Sequence, residues 1–177
     1  MIVTMKQSDL EAEVRDLAAR RDIHNALCNY MRGQDRLMPE VQRLAFHEDA
    51  FVDCGMYAGN ASGFIDFAQG LLATFKQSQH LIGQAHIQIE GSVAHGEVYF
   101  LAQHRLAEAG VEKDLFVAGR YIDRYENRGD GWRIAKRREL IDWARTDPAS
   151  DSFVKEQTAL ILGARGDSDF SNARIWP

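Results

Sequence analysis

The chain has 177 residues, enough for one domain that buries a sizeable core without disulfide or metal staples. Hydrophobic residues make up 45% and charged residues 27%, which excludes a disordered chain, and a net charge of −5 argues against a nucleic-acid partner because an acidic surface repels phosphate. Cys28 and Cys54 have neither metal-ligand nor redox spacing and read as buried thiols of a reducing compartment; no apolar run approaches the roughly 20 residues of a membrane span, and "MIVTMKQSDLE" lacks a signal-peptide core, so a cytoplasmic protein without membrane contact is expected.

In chain order, "SDLE" predicts the start of a first helix, with Ser8 as cap and Glu11 reaching back. Leu10, Val14, Leu17, Leu27 and Met31 recur at near-helical spacing as its apolar face, and Asp35 falls at or just past its last turn. A short second helix follows Pro39, "AFVDCGMY" (50–57) is a first strand, and "GNASG" turns into a third helix over 64–75. The period then changes. "HLIGQAHIQIEG", "VAHGEVYFLAQHRL", "DLFVAGRYIDRYE" and "GWRIAKRRELIDWA" alternate as four long strands, with Gly91, Gly110 and "NRGDG" between them. Helices first and a meander afterwards predict an α+β domain over 1–145. Its curved, mostly antiparallel sheet wraps N-terminal helices into a cone with a cavity. Residues 146–177 read as a C-terminal extension packed on this domain or on a neighbouring subunit. "DSFVKEQTALIL" reads as a helix within it, and Trp176 needs a packing partner.

Three residues stand out chemically. A carboxylate at a helix C-terminus, Asp35, faces the negative end of the helix dipole and calls for a compensating partner. His80 opens the first long strand, where alternation puts it on one face with Ile82 and Gln84. If the helix lies in the mouth of the curved sheet the two can meet: the carboxylate then fixes the ring tautomer, and the other ring nitrogen takes a proton. Tyr30, five residues before Asp35, can share the pocket wall and bond a substrate oxygen; a core tyrosine with a satisfied hydroxyl is an equal alternative. On the later strands Phe116, Ala118, Arg120 and Ile122 share one face, and Arg133, Ala135 and Arg137 share one face. An arginine among them could steady a leaving anion, although salt bridges to Asp123, Glu126, Glu139 or Asp142 account for most of them.

The stretches "IHNALCNYMRGQD", "FVDCGMYAGNASG", "QHLIGQAHIQIEG" and "GRYIDRYENRGDGWRIAKRRELIDW" in this order resemble the SnoaL-like branch of the nuclear-transport-factor-2-like superfamily, over roughly residues 10–143. The resemblance implies a cystatin-like α+β barrel. Within it the chain is similar to the group of scytalone dehydratase, hexachlorocyclohexane dehydrochlorinase and bile-acid 7α-dehydratase, in which an aspartate ending helix one pairs with a histidine opening the first long strand. Asp35 and His80 occupy those places. Tyr30 matches a helix tyrosine of the dehydratases, Tyr57 a pocket tyrosine, and Arg133 an arginine of the dehydrochlorinase. The chain departs from the group at Leu101-Ala102-Gln103, where an acid is missing, and at Ile141, where an arginine falls in one enzyme; His104 is a loose candidate for a second histidine.

These residues together imply a lyase of the dehydratase kind that needs neither metal nor other cofactor, with Asp35, His80 and Tyr30 catalytic and Tyr57, Phe116, Arg120 and Arg133 binding the substrate. A small hydrophobic molecule, aromatic or polycyclic, is the expected partner. The alternatives are a small-molecule-binding module, a subunit like that of ring-hydroxylating dioxygenases, and an isomerase or cyclase using the same pair. The apolar alternation of the outer sheet face implies a homo-oligomer, a trimer in preference to a dimer, with Arg137, Arg138, Glu139 and Asp142 pairing at its rim.

Overall fold

The fold is described from a computed structural model, over residues 6–174 and 176. Helix α1 spans Gln7–Asp35, α2 Pro39–Arg43 and α3 Ala61–Ala73. The strands are β1 (Phe46–Asp53), β2 (Ala58–Asn60), β3 (Gln77–Glu90), β4 (Val93–Glu108), β5 (Val111–Asn127) and β6 (Trp132–Pro148). They form one six-stranded sheet in the order β2-β1-β6-β5-β4-β3, antiparallel throughout except for the β1–β6 pair. This is the expected α+β architecture of three helices and a curved, mostly antiparallel sheet.

The curvature has a local cause. The β3–β4 ladder shifts register between Ile82 and Ala85, and the β5–β6 ladder shifts at Ala118/Gly119 and again at Arg124/Tyr125. Each bulge bends its strand and increases the twist. At Gly119 the close approach excludes any side chain, since a Cβ there would lie 2.0 Å from the carbonyl oxygen of Leu140. The bent sheet closes over α1 and α3, burying Ile23, Leu27, Tyr30, Phe64 and Ile65 against Val98, Phe100, Tyr121, Tyr125 and Ile134.

Several local expectations are corrected. The cap of α1 is Lys6, without a side-chain bond, and Ser8 lies inside the first turn, its hydroxyl bonding Asp9. Burial on α1 begins only at Ala19, because the sheet does not reach the first turns; Leu10, Val14 and Leu17 are exposed. Cys28 is exposed and Cys54 half-buried, so neither is a core thiol. In the tail only Ser152–Glu156 (α4) is helical where a longer helix was expected. Trp176 stays exposed and meets Phe170 edge-on, 5.1 Å between centroids.

Candidate active site

Asp35 is the last residue of α1, and α1 packs along β3. Its Oδ1 lies 2.6 Å from His80 Nδ1, and its Oδ2 accepts the backbone N–H of His80 at 3.1 Å. Both carboxylate oxygens are therefore held by one residue, and the ring cannot turn without breaking the pair. The side chains are 14% and 7% exposed. An aspartate acceptor at Nδ1 keeps the imidazole proton there, which leaves the Nε2 lone pair free to take another.

His80 lines a cavity of about 490 Å³ between α1, α3 and the inner sheet face. The walls are mostly apolar: Phe64, Phe67, Phe75, Phe100, Leu72, Leu115, Val117 and Ile141. The polar groups among its lining residues are few: Tyr30 and Gln34 from α1, His80, His104, Tyr121 and Glu139. Tyr30 is fully buried and its phenol is held neutral, pushed up mainly by burial. Its ring stacks on Phe64 and meets Phe46 and Tyr121 edge-on. Under these rings the Arg137 guanidinium lies 4.2 Å from the Tyr30 centroid and 4.0 Å from that of Tyr121. Arg137 donates to Asp123 through Nε (2.8 Å) and Nη2 (2.6 Å), and Tyr125 adds its hydroxyl to the same carboxylate at 2.6 Å. This buried fork holds the floor of the cavity rigid.

His104, on the neighbouring strand, stands 5.2 Å from His80 between ring centroids. Burial, with the nearby His80 and Arg165, drives its pKa down to about 4, so it is neutral at neutral pH. Its Nδ1 is 3.1 Å from the Ser78 hydroxyl, which also receives a bond from Arg165. Arg165 comes from the C-terminal segment and donates to the Leu72 and Phe75 carbonyls at the end of α3 as well. A side chain from the tail thus caps α3 and orders the polar cluster beside the pair.

Other residues expected at the site lie elsewhere. Phe116 and Arg120 are on the outer face of β5: Arg145 covers the Phe116 ring at 4.9 Å, and Arg120 pairs with Glu97 and Asp142. The inner residues of β5 are the odd-numbered ones, including Val117 and Tyr121, because alternation defines two faces without saying which is inside. Arg133 bonds Asp130 in the preceding turn, away from the cavity. Arg133 and Arg137 were expected on one face. The register shift opposite Arg124/Tyr125 leaves Ala135 without a partner and reverses the alternation, so Arg137, Glu139 and Ile141 turn inward. Arg137 and Glu139 are therefore not rim charges. Tyr57 stacks on Phe67 and gives its hydroxyl to the Asn60 carbonyl, so it supports the α3 cap instead of joining the lining residues. Glu139, Gln34 and Tyr121 were not singled out from the sequence as lining residues: Gln34 gave no signal on α1, Tyr121 only an alternation that does not say which face is inside, and Glu139 a parity that the irregularity at Ala135 resets.

A family model described as a SnoaL-like domain matches residues 15–138. Among solved structures, a type-3 hexachlorocyclohexane dehydrochlorinase from Novosphingobium barchaimii superposes with a TM-score of 0.68 at 16% identity, covering 78% of this chain and 95% of that one. A candidate scytalone dehydratase from Novosphingobium aromaticivorans gives 0.66 at 19% identity, covering 76% and 91%. A nuclear-transport-factor-2-like protein with a cystatin-like fold, from the same organism, gives 0.63 at 19% identity, covering 88% and 99%. At such identities the likeness is one of fold. No curated protein matches the sequence. Among the described residues no helix is long and apolar enough to cross a membrane.

Proposed function

We propose that this chain, which belongs to the SnoaL-like domain family, is a cofactor-independent lyase that eliminates a leaving group from a small hydrophobic, aromatic or polycyclic substrate. The observation that carries the reading is the 2.6 Å contact between Asp35 Oδ1 and His80 Nδ1 on a ring that lines an apolar cavity. His80 Nε2 takes a proton from a carbon next to a carbonyl or similar acceptor. Asp35 holds the ring tautomer and supports the imidazolium that forms. The neutral Tyr30 phenol donates a hydrogen bond to the substrate oxygen that gains charge. The apolar walls strengthen these electrostatic contacts by excluding water. A volume of about 490 Å³ suits a ligand of drug-like size.

The test is turnover of a panel of aryl β-hydroxy and β-halo ketones, followed by the ultraviolet absorbance of the conjugated enone. His80→Ala should lower the rate by roughly 100-fold or more, the usual contribution of a positioned base, while circular dichroism stays unchanged. Full activity in His80→Ala refutes the assignment. Tight binding of these ketones by the wild type without any turnover would favour a binding module.

A further inference from the structure

We propose that Glu139 is the proton donor to the leaving group, and that the group lost is therefore a hydroxyl, released as water, and not a halide. This rests on the lyase reading above and narrows its substrate class.

Glu139 sits on the inner face of β6, register-paired with Tyr121 of β5, and is the one carboxylate among the residues lining the cavity. The neighbouring charges have other partners: Arg137 gives Nε and Nη2 to Asp123, with its Nη1 buried and unpaired, Arg138 pairs with Asp53, and Arg120 with Glu97 and Asp142. No hydrogen bond or ion pair joins Glu139 to a described residue, and Arg137 and His80 act on it only through charge. An acid in an apolar cavity without a partner resists ionisation, and burial pushes this carboxyl above its ordinary 4.5, more than Arg137 and His80 draw it down. The groups facing it are Tyr30 on α1, Cys54 after β1, His80 on β3 and Tyr121 on β5, with Arg137 two residues before it on its own strand. Arg137 is the one permanent cation among them, and burial outweighs its pull on the Glu139 carboxyl.

The cavity then holds a base, His80, and an acid, Glu139, whose burial favours its neutral form, an arrangement suited to elimination. His80 Nε2 takes the proton from carbon, and the C–H electron pair becomes the new C=C bond. The C–O bond breaks, its electrons stay on oxygen, and the Glu139 proton completes water. The imidazolium proton then returns to the Glu139 carboxylate through solvent, which restores both groups. Hydroxide is a poor leaving group and needs this donor. A halide leaves without one, so a proton donor at this place favours loss of a hydroxyl over loss of a halide.

Two probes separate the roles: an aryl β-hydroxy ketone, and the matching β-(p-nitrophenoxy) ketone, whose leaving group departs unprotonated. Glu139→Gln keeps the shape of the neutral acid. It should slow the hydroxy ketone by roughly 100-fold or more and change the nitrophenoxy ketone less than about fivefold, whereas His80→Ala should slow both. Equal effects of Glu139→Gln on the two probes overturn the acid role. Activity retained in His80→Ala overturns the underlying base assignment instead. An NMR titration of glutamate labelled at the side-chain carboxyl, with the Glu139 signal identified by its loss in Glu139→Gln, requires no substrate. A midpoint clearly above 4.5 supports proton donation, and one at or below 4.5 refutes it, whether or not either ketone is turned over.

Discussion

Asp123→Ala tests the physical account of the cavity floor. The Arg137 and Asp123 side chains are both fully shielded from solvent, and their two bonds are 2.8 and 2.6 Å long. Removing the carboxylate leaves a guanidinium between two aromatic rings, with no counter-ion and no water. Loss of one partner from a buried pair costs about 3–5 kcal/mol, because the remaining charge stays desolvated. For a domain of this size each kcal/mol lowers Tm by roughly 2–4 °C, which gives a fall of about 6–20 °C. Urea unfolding followed by tryptophan fluorescence should show the midpoint moving with little change in slope. The double variant Asp123→Leu with Arg137→Met should recover most of the loss, since an apolar pair of similar volume replaces an ion pair almost neutrally. A loss below about 1 kcal/mol in Asp123→Ala, the range of exposed pairs, would refute the claim that this fork is dry.

Asp35→Asn should reduce elimination by about 10⁴-fold with the fold intact. The amide oxygen will accept the His80 backbone N–H, its NH₂ will then face Nδ1, and the ring proton is forced onto Nε2; a steady-state rate near that of the wild type would contradict this. His104 gives a pH signature. Its folded pKa of about 4 lies below the ordinary 6.5, so the unfolded chain takes up a proton that the folded one refuses. Its stabilising effect is complete above pH 6.5 and falls away as pH drops toward 4, on the order of 2–3 kcal/mol across that window. Denaturation midpoints at several pH values should follow this slope in the wild type and flatten in His104→Gln. On the outer face, Leu81, Leu101, Ile122, Leu140 and Trp143 are exposed together, and we propose that further copies of the chain cover them, three in preference to two. Light scattering at micromolar concentration should give a multiple of 20.0 kDa, and that mass itself would rule the assembly out.

Most of the fold was legible in the sequence because its signals are local. The four long strands alternate over spans far longer than chance, and the hairpins between them turn at Gly91 and at Ala109-Gly110, where positive φ is required. Asp35 and His80 could be named because a polar residue ending a helix and another opening a strand stand out from their surroundings, and because the family resemblance puts those two places together. The sequence by itself does not bring them to 2.6 Å. That distance follows from α1 lying against β3, a contact between residues 45 positions apart.

What only the tertiary structure decided is the inside of the sheet. Strand alternation separates two faces but is symmetric between them, so Phe116 and Arg120 were as plausible in the cavity as Val117 and Tyr121. In β6 even the alternation misleads, because the irregularity at Ala135 shifts parity in mid-strand and turns Arg137 and Glu139 inward while Arg133 stays with Asp130. The run "KRRE" has the composition of a solvated edge, yet it supplies a buried guanidinium and the cavity's acid. A bulge is a property of the ladder between two strands, set by their register and twist, and it leaves no mark in the sequence of either strand alone.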